Sequence, residues 1–184
     1  MCRGEGKVQL REPSAIKLIR SCIKRGHESV IEHVTGISVR FICDRGVSHE
    51  LVRHRLTSVS MESTRYCNYS NDKFGGELTF VQPPFFDKLL PHDRSALLCW
   101  QIAMQNAENS YLEMLKIDGC TPELARSVLP HSIKTELVVT ANVREWRLIL
   151  KLRTDKASHP QMRQLMVPLL NEMKQVLPVF FEDM

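Results

Sequence analysis

The chain lacks several features that would assign it to common protein classes. No run of about 18 uncharged apolar residues occurs, although a membrane-spanning helix needs one, and residues 1–6 lack the apolar core of a signal peptide. The six cysteines form no CxxC pair, so neither a zinc site nor a disulfide scaffold is indicated. We therefore expect no membrane span, no bound metal, reduced thiols and a cytoplasmic location.

Glycine-rich phosphate loops are absent as well. Neither G-x-G-x-x-G nor G-x-x-x-x-G-K-[ST] is present, which excludes the dinucleotide-binding and P-loop cradles. Any phosphate group would have to be bound by side chains, above all by arginines. The formal net charge of +4, from 25 basic and 21 acidic residues, permits anionic substrates but does not indicate a nucleic-acid partner.

Composition and periodicity predict one mixed domain. The 184 residues, 43% hydrophobic and 25% charged, suffice for a single domain with a sizeable core. Helical and extended patterns are mixed without a repeated βαβ unit. We expect an α+β domain with antiparallel strands and a long helical C-terminal half. The predicted helices are 13–25, 45–53, 93–117, 121–128, 143–152 and 159–177, and the predicted strands are 34–43, 77–81 and 134–140.

Residues 53–66 are the most informative segment. They contain three arginines, one histidine, five Ser or Thr hydroxyls and one tyrosine. Guanidinium groups match phosphate oxygens bidentately, and hydroxyls add neutral donors at short reach. Arg53 and Arg55 are closely spaced and Arg65 follows them, which suggests two anionic groups bound side by side. The segment is predicted to form the floor of a nucleotide site.

The same three arginines also have a purely structural interpretation. They could pair with nearby acidic side chains on a solvated surface; the candidates are Asp44, Glu50 and Glu62. A ligand site is favoured because distant positions again place a lone cation beside polar groups. Those positions are Glu123 with Arg126, which can touch at i, i+3, Asn142 with Arg144, and Arg153.

Other catalytic chemistries are less well supported. His49 and His54 stand at i, i+5, so they do not share the helix face that a zincin-type metal site requires. Cys67 could be a nucleophile, but a buried thiol is the commoner role. Ser63 could be a nucleophile or a neutral donor to a phosphate or a base ring. We favour the donor role because no histidine base is evident beside it.

Together these motifs resemble the signature of the flavin-dependent thymidylate synthases. The resemblance rests first on Arg53-His54-Arg55, Ser58, Ser63 and Arg65-Tyr66. Upstream it includes Gly26 to Ser29 with Glu32-His33, and Ser48 to Val52. Downstream it includes Glu123 to Pro130, Asn142 to Arg144, and Arg153 through His159-Pro160-Gln161. It implies that family's fold and an enzyme that converts dUMP to dTMP. FAD would be the redox cofactor, methylenetetrahydrofolate the carbon donor and NADPH the reductant. It also implies a homotetramer whose active sites are shared between chains.

The resemblance implies roles for individual residues. The FAD-binding positions would be Ser29, Arg53, His54, Arg55, Met61, Asn142, Arg144 and Leu148. The dUMP-binding positions would be Glu50, Arg53, Met61, Glu62, Ser63, Thr64, Arg65, Arg126 and Arg153, and His27 would lie near the folate or the flavin. Arg153 would be the catalytic residue. Uracil C5 becomes nucleophilic as charge builds on the ring oxygens and N3, and a fixed guanidinium stabilises that charge.

Departures from the family pattern are local. Met61 stands where members usually carry Glu or another polar residue, and Leu148 stands where a polar flavin contact is usual. We expect residues 1–12 to be a divergent or shortened N-terminal segment and residues 13–184 to form the synthase domain. The alternative is a catalytically impaired nucleotide- or RNA-binding relative that keeps the arginine cluster. In that case Tyr66, Tyr69 and Phe74 could stack on bases.

Overall fold

A computed structural model describes residues 13–71, 76–88 and 92–184, without the side chains of 87 and 88. The proposed N-terminal segment 1–12 and Phe74 lie outside the described residues. The helices are α1 (Ser14–Lys24), α2 (Arg45–Leu51), α3 (Phe85–Lys88), α4 (Ser95–Leu115), α5 (Pro122–Ala125), α6 (Val143–Arg153), α7 (Pro160–Val176) and α8 (Pro178–Phe181). Helices of the 3₁₀ type span Glu28–His33 and Arg126–Val128.

The described strands form a three-stranded antiparallel sheet. They are β1 (Ile37–Asp44), β2 (Ser58–Met61) and β3 (Lys134–Ala141), in the order β1-β3-β2. Ile37 pairs with Ala141 at one end of the β1–β3 ladder, and Met61 pairs with Leu137 in the shorter β2–β3 ladder. Alternate residues of β3 are buried, because successive side chains of a strand point to opposite faces. One face of the sheet therefore packs on the core.

Local sequence signals set the ends of the helices that position the site. Asp44 caps α2 by accepting a hydrogen bond from the backbone N–H of Val47 (2.7 Å). Asn142 caps α6 in the same way, accepting from the backbone N–H of Glu145 (2.8 Å). Short polar side chains at this position satisfy amides that the first helical turn leaves unpaired. Both helices thus begin directly where a strand ends.

The main core lies between the sheet and the helices α6, α7 and α8. Its largest fully buried side chains include Trp146, Leu150, Met162 and Phe181. Complete burial of side chains of this size contributes about 1.5–3 kcal/mol each. A second cluster under α4 is built around Tyr111, which is also fully buried. The main core therefore fixes α6 on the sheet.

The structure confirms the predicted α+β class and most of the elements. It differs in the region 58–81. The stretch 77–81 forms only an isolated bridge, between Phe80 and Ile133, and the strand Ser58–Met61 was not predicted. Helix α7 runs as one helix through Pro168. No helix in the described part of the chain combines the length and the apolar character needed to cross a membrane.

Candidate functional site

The arginine motif forms the turn that follows α2. The backbone N–H of His54 donates to the carbonyl of Leu51 (3.1 Å), and the carbonyl of His54 accepts from the hydroxyl of Thr57 (2.6 Å). These bonds turn His54 inward, where it is 8% exposed, and turn Arg53 and Arg55 outward, where both are exposed. Within the described part of the chain, neither arginine has an ion pair or a side-chain hydrogen bond.

Arg153, at the end of α6, joins the motif from the other side. Its Nε donates to Nε2 of His54 (3.0 Å), and its two terminal nitrogens donate to the carboxylate (2.8 Å) and the backbone carbonyl (3.1 Å) of Glu50. The side chain is 21% exposed. Three predicted site residues thus meet, although Glu50 and Arg153 are 103 positions apart.

A cavity of about 750 Å³ lies along α6, from Asn142 at its start to Thr154 just past its end. Three predicted flavin positions line it together with apolar side chains, namely Asn142, Arg144 and Leu148 with Leu56 and Leu170. Its size is within the ~300–1,000 Å³ typical of small-molecule and cofactor sites. The predicted position Ser29 lies in the 3₁₀ helix whose Glu28 and Glu32 line the same cavity. Leu56 belongs to the arginine-motif turn, so the motif reaches this cavity.

The charges around this cavity are arranged in pairs. Arg144 contacts the carboxylates of Glu32 (2.5 Å) and Glu28 (3.5 Å), and the side chains of all three are substantially exposed. Arg147 is paired with Asp183 through two hydrogen bonds of 2.7 and 2.8 Å. Exposed ion pairs contribute only about 0–1 kcal/mol. Arg144 can therefore exchange its glutamate partners for a bound anion at little cost.

The remaining predicted nucleotide positions lie elsewhere in the protomer. Met61 and Glu62 line a different cavity, of about 720 Å³, on the sheet. There Glu62 accepts from the hydroxyl of Tyr69 (2.8 Å). Arg65 forms an ion pair with Glu123 of α5 (2.8 Å), next to the exposed Arg126. In the described part of one chain, these positions therefore share no hydrogen bond or ion pair with the dUMP positions around Arg153.

Several local expectations differ from the structure. Asp44, Glu50 and Glu62 were the candidate partners of the three motif arginines. Asp44 instead accepts from the Val47 backbone and from Gln161. Glu50 accepts from Arg153, and Glu62 contacts Tyr69 and Lys134. The i, i+3 spacing predicted a contact of Glu123 with Arg126, whereas Glu123 pairs with Arg65.

Other side chains predicted near the ligands show varied exposure. Tyr69 is 7% exposed, so it is not free to stack on a base. Thr64 is buried, His27 is exposed and Ser63 is half-buried. The hydroxyl of Ser63 accepts from the backbone N–H of Arg65 (3.4 Å). No described histidine is hydrogen-bonded to that hydroxyl.

Sequence reasoning missed Glu145, which is 6% exposed. Its Oε1 lies 3.6 Å from Nδ1 of His54, and it also lines the cavity beside α6. Burial raises the pKa of the Glu145 carboxyl. Burial, and then the charge of Arg153, lower the pKa of His54. The only sequence signal for Glu145 was its position three residues after Asn142, which is typical of a capping box. That motif would place the Glu145 side chain on the backbone of Asn142 rather than beside His54.

The two histidines of the apparent zincin pattern have different partners. His54 contacts Arg153, whereas His49 packs edge-on against His131, with ring centroids 5.4 Å apart. Across residues 13–71, 76–88 and 92–184, no three His, Cys, Asp or Glu side chains form a group that could hold a metal ion.

The amino-acid sequence is similar to that of known proteins over most of its length. A family model described as thymidylate synthase complementing protein (Thy1) matches residues 2–179. The chain is 35% identical over 147 residues to the flavin-dependent thymidylate synthase of Pyrococcus abyssi (strain GE5 / Orsay), covering 80% of this chain and 57% of that protein. It is 33% identical over 168 residues to the enzyme of the same name from Geobacter sulfurreducens, covering 86% and 64%. It is 32% identical over 169 residues to a probable flavin-dependent thymidylate synthase of Mycobacterium phage L5, covering 88% and 67%.

The chain belongs to the thymidylate synthase complementing protein family, since the family model covers nearly all of it. This confirms the resemblance drawn from the motifs. The chain spans 57% of the P. abyssi relative and 64% of the G. sulfurreducens relative.

Proposed function

We propose that this protein is a flavin-dependent thymidylate synthase that converts dUMP to dTMP. The overall reaction would transfer the methylene group of methylenetetrahydrofolate to uracil C5 and release tetrahydrofolate. Hydride from NADPH, which becomes NADP⁺, would reduce the transferred carbon to a methyl group. The observation that carries the proposal is the meeting of Glu50, His54 and Arg153. Beside them lie Arg53 and Arg55, which are exposed and have no ion pair within the described part of the chain. Family membership and the names of the relatives support the same conclusion.

The cavity beside α6 suits FAD. Leu56, Leu148 and Leu170 offer apolar surface for a ring system. Lys151, and Arg144 once a diphosphate displaces Glu28 and Glu32 from it, offer positive charge. The Oδ1 of Asn142 is occupied by the helix cap, so its Nδ2 remains available as a donor. Leu148 adds contact area but no hydrogen bond. FAD, when bound, supplies the redox chemistry of the reaction.

Arg153 suits the task of stabilising charge on uracil. A guanidinium has five N–H donors, and three of its N–H groups are engaged by His54 and Glu50. Two remain to face a ligand. Because Nε and both terminal nitrogens are held, the guanidinium is oriented before any ligand arrives. Such preorganisation is what makes a donor effective where charge develops in the transition state.

We also propose that each active site is completed by a neighbouring chain in a homotetramer. In the described part of one protomer, the group of dUMP positions around Arg153 shares no hydrogen bond or ion pair with the group around Arg65 and Arg126. A shared site would bring together one group from each of two chains. Arg65→Ala and Arg153→Ala should each be inactive alone, and mixing them should restore part of the activity through hybrid sites. A monomer that still forms dTMP would contradict this arrangement, as would failure to rescue despite demonstrated subunit exchange.

The function is tested by two measurements on the purified protein. After incubation with FAD and removal of the excess, the absorbance spectrum should show bound oxidised flavin. With dUMP, methylenetetrahydrofolate and NADPH, chromatography should show dTMP formation that requires all three. A protein that retains no flavin and forms no dTMP would overturn the proposal.

A second candidate is a nucleotide- or RNA-binding relative without turnover. Tyr66 is 78% exposed, and the guanidinium of Arg65 lies 5.4 Å from its ring centroid. An exposed aromatic beside a cation can stack on a base. The buried Tyr69 offers no such surface. RNA binding does not require flavin, so salt-sensitive RNA binding by a protein that retains no flavin would favour this candidate.

A further inference from the structure

The buried pair formed by His54 and Glu145 lies between the two parts of the site. His54 contacts Arg153 (3.0 Å), and Glu145 lies 3.6 Å from the other ring nitrogen of His54. Glu145 also lines the cavity that holds Asn142 and Arg144. These two side chains therefore connect the α6 cavity to the guanidinium that we assign to dUMP.

The contact with Arg153 shows where the proton of His54 lies. Arginine remains protonated in proteins and has donors only, so Nε2 of His54 must be the nitrogen that accepts the 3.0 Å hydrogen bond. A neutral imidazole with a free Nε2 carries its proton on Nδ1. That Nδ1–H faces the Glu145 carboxyl group. Protonation of Nε2 would instead set two donors against each other and break the contact with Arg153.

Helix capping does not explain the burial of Glu145. In a capping box, the acidic side chain returns to the N-cap backbone, whereas the Glu145 side chain contacts His54. Burying a carboxyl group is unfavourable unless it has polar partners. At 3.6 Å the contact is electrostatic rather than a full hydrogen bond. It favours the His54 tautomer whose proton lies on Nδ1.

We infer that Glu145 is a positioning residue, which orients Arg153 through the Nδ1–H tautomer of His54. The inference rests on the proposed function in one respect, the role of Arg153 in the reaction of dUMP. The inference assigns Glu145 an effect on turnover without contact with uracil. Because Arg153 is also held by Glu50, loss of Glu145 should misorient the guanidinium without detaching it.

A matched pair of variants separates shape from polarity. Glu145→Met keeps the length of the side chain and removes the acceptor, whereas Glu145→Gln keeps an acceptor and removes the charge. Misplacement of a catalytic group by about 1 Å can cost on the order of 10²-fold in rate. We expect kcat to fall about 10- to 100-fold in the Met variant and to recover most of this loss in the Gln variant. The dissociation constants of dUMP and FAD should change by less than about threefold in both. Glu113→Gln, on the exposed surface of α4, is the control.

Nitrogen NMR tests the tautomer without any ligand or turnover. In protein labelled at histidine nitrogens, His54 is identified by the signals missing from His54→Gln. The wild type should show an unprotonated Nε2 and a protonated Nδ1, and Glu145→Met should lose this pattern. A wild-type proton on Nε2 would overturn the inference, as would a Met variant with unchanged kcat. If the wild type forms no dTMP, the proposed function fails. The NMR result then tests, without turnover, whether Glu145 sets the tautomer of His54.

Discussion

Trp146 donates its indole N–H to the backbone carbonyl of Ile37 across 3.0 Å. The bond ties the second turn of α6 to the first residue of β1. The indole is fully buried and packs against Phe41, with ring centroids 6.4 Å apart. Because α6 carries Asn142 at its start and Arg153 at its end, this anchor fixes both parts of the candidate site relative to the sheet.

Replacing Arg153 should reduce turnover far more than binding. Arg153→Ala removes a preorganised donor, whose loss costs on the order of 10²–10³ in kcat. Arg153→Lys keeps the charge but cannot form the three bonds to His54 and Glu50, so its activity should stay well below wild type. Steady-state kinetics and FAD titration test this, with the exposed Arg25→Ala as the control. Equal losses of FAD affinity and turnover would indicate a structural role.

Ser63→Ala should weaken dUMP binding and leave turnover measurable. A hydrogen bond to an uncharged hydroxyl contributes about 0.5–1.5 kcal/mol, which corresponds to roughly a 2- to 12-fold rise in KM. No described histidine is bonded to this hydroxyl, so activation as a nucleophile has no structural support. Complete loss of dTMP formation at saturating dUMP would contradict the donor role.

Glu32→Gln should strengthen flavin binding. Arg144 is engaged by Glu32 across an exposed 2.5 Å ion pair, and a bound diphosphate would compete with that carboxylate. Removing a pair that contributes about 0–1 kcal/mol should lower the FAD dissociation constant by up to about fivefold. Arg144→Ala should raise it. Fluorescence titration provides the measurement, and weaker binding by Glu32→Gln would show that Arg144 does not contact the cofactor.

Asn142 has a structural role that can be separated from ligand binding. Asn142→Ala removes the cap of α6 and should lower the free energy of unfolding by about 0.5–2 kcal/mol. Asn142→Ser retains a capping oxygen but lacks the amide N–H groups. It should therefore be nearly as stable as wild type in urea and still bind FAD more weakly. A serine variant that matches wild type in both measurements would assign Asn142 to the cap alone.

Glu136 should make stability depend on acidic pH. Hydrogen bonds from Lys134 and then Arg40 lower its pKa from 4.5 to about 2. A carboxylate with a lowered folded-state pKa stabilises the protein above its unfolded pKa. That contribution is lost as the pH falls from 4.5 towards 2. Chemical denaturation at pH 6 and pH 3 should show a smaller loss in the free energy of unfolding for Glu136→Gln than for wild type. Equal losses would contradict the lowered pKa of Glu136.

The elements with strong local signals were predictable from sequence. Helix α6 follows a strand and was predicted over 143–152, and the structure places it at Val143–Arg153. Strand β2 was missed because Ser58–Met61 is short and polar, and its pairing depends on β3, about 80 positions later. Sequence periodicity carries no information on such distant pairing.

The composition of the site was more predictable than its contacts. The motif indicated that Arg53, His54 and Arg55 act together, but not that His54 alone turns inward. Its partner Arg153 is 99 positions away, and their contact follows from the packing of α6 on the core. Glu145 was missed for the same reason, since a buried acid is recognised only by what surrounds it.

The position of β3 in the sheet has a consequence for synthesis on the ribosome. β3 is the central strand, yet it emerges after both of its neighbours. Translation from Met61 to Lys134 takes on the order of ten seconds. Until β3 appears, β1 and β2 have no hydrogen-bonding partner within the sheet, and unpaired strands associate readily with other chains. The yield of folded protein should therefore depend on translation rate and on the chaperones that bind the nascent chain before residue 134.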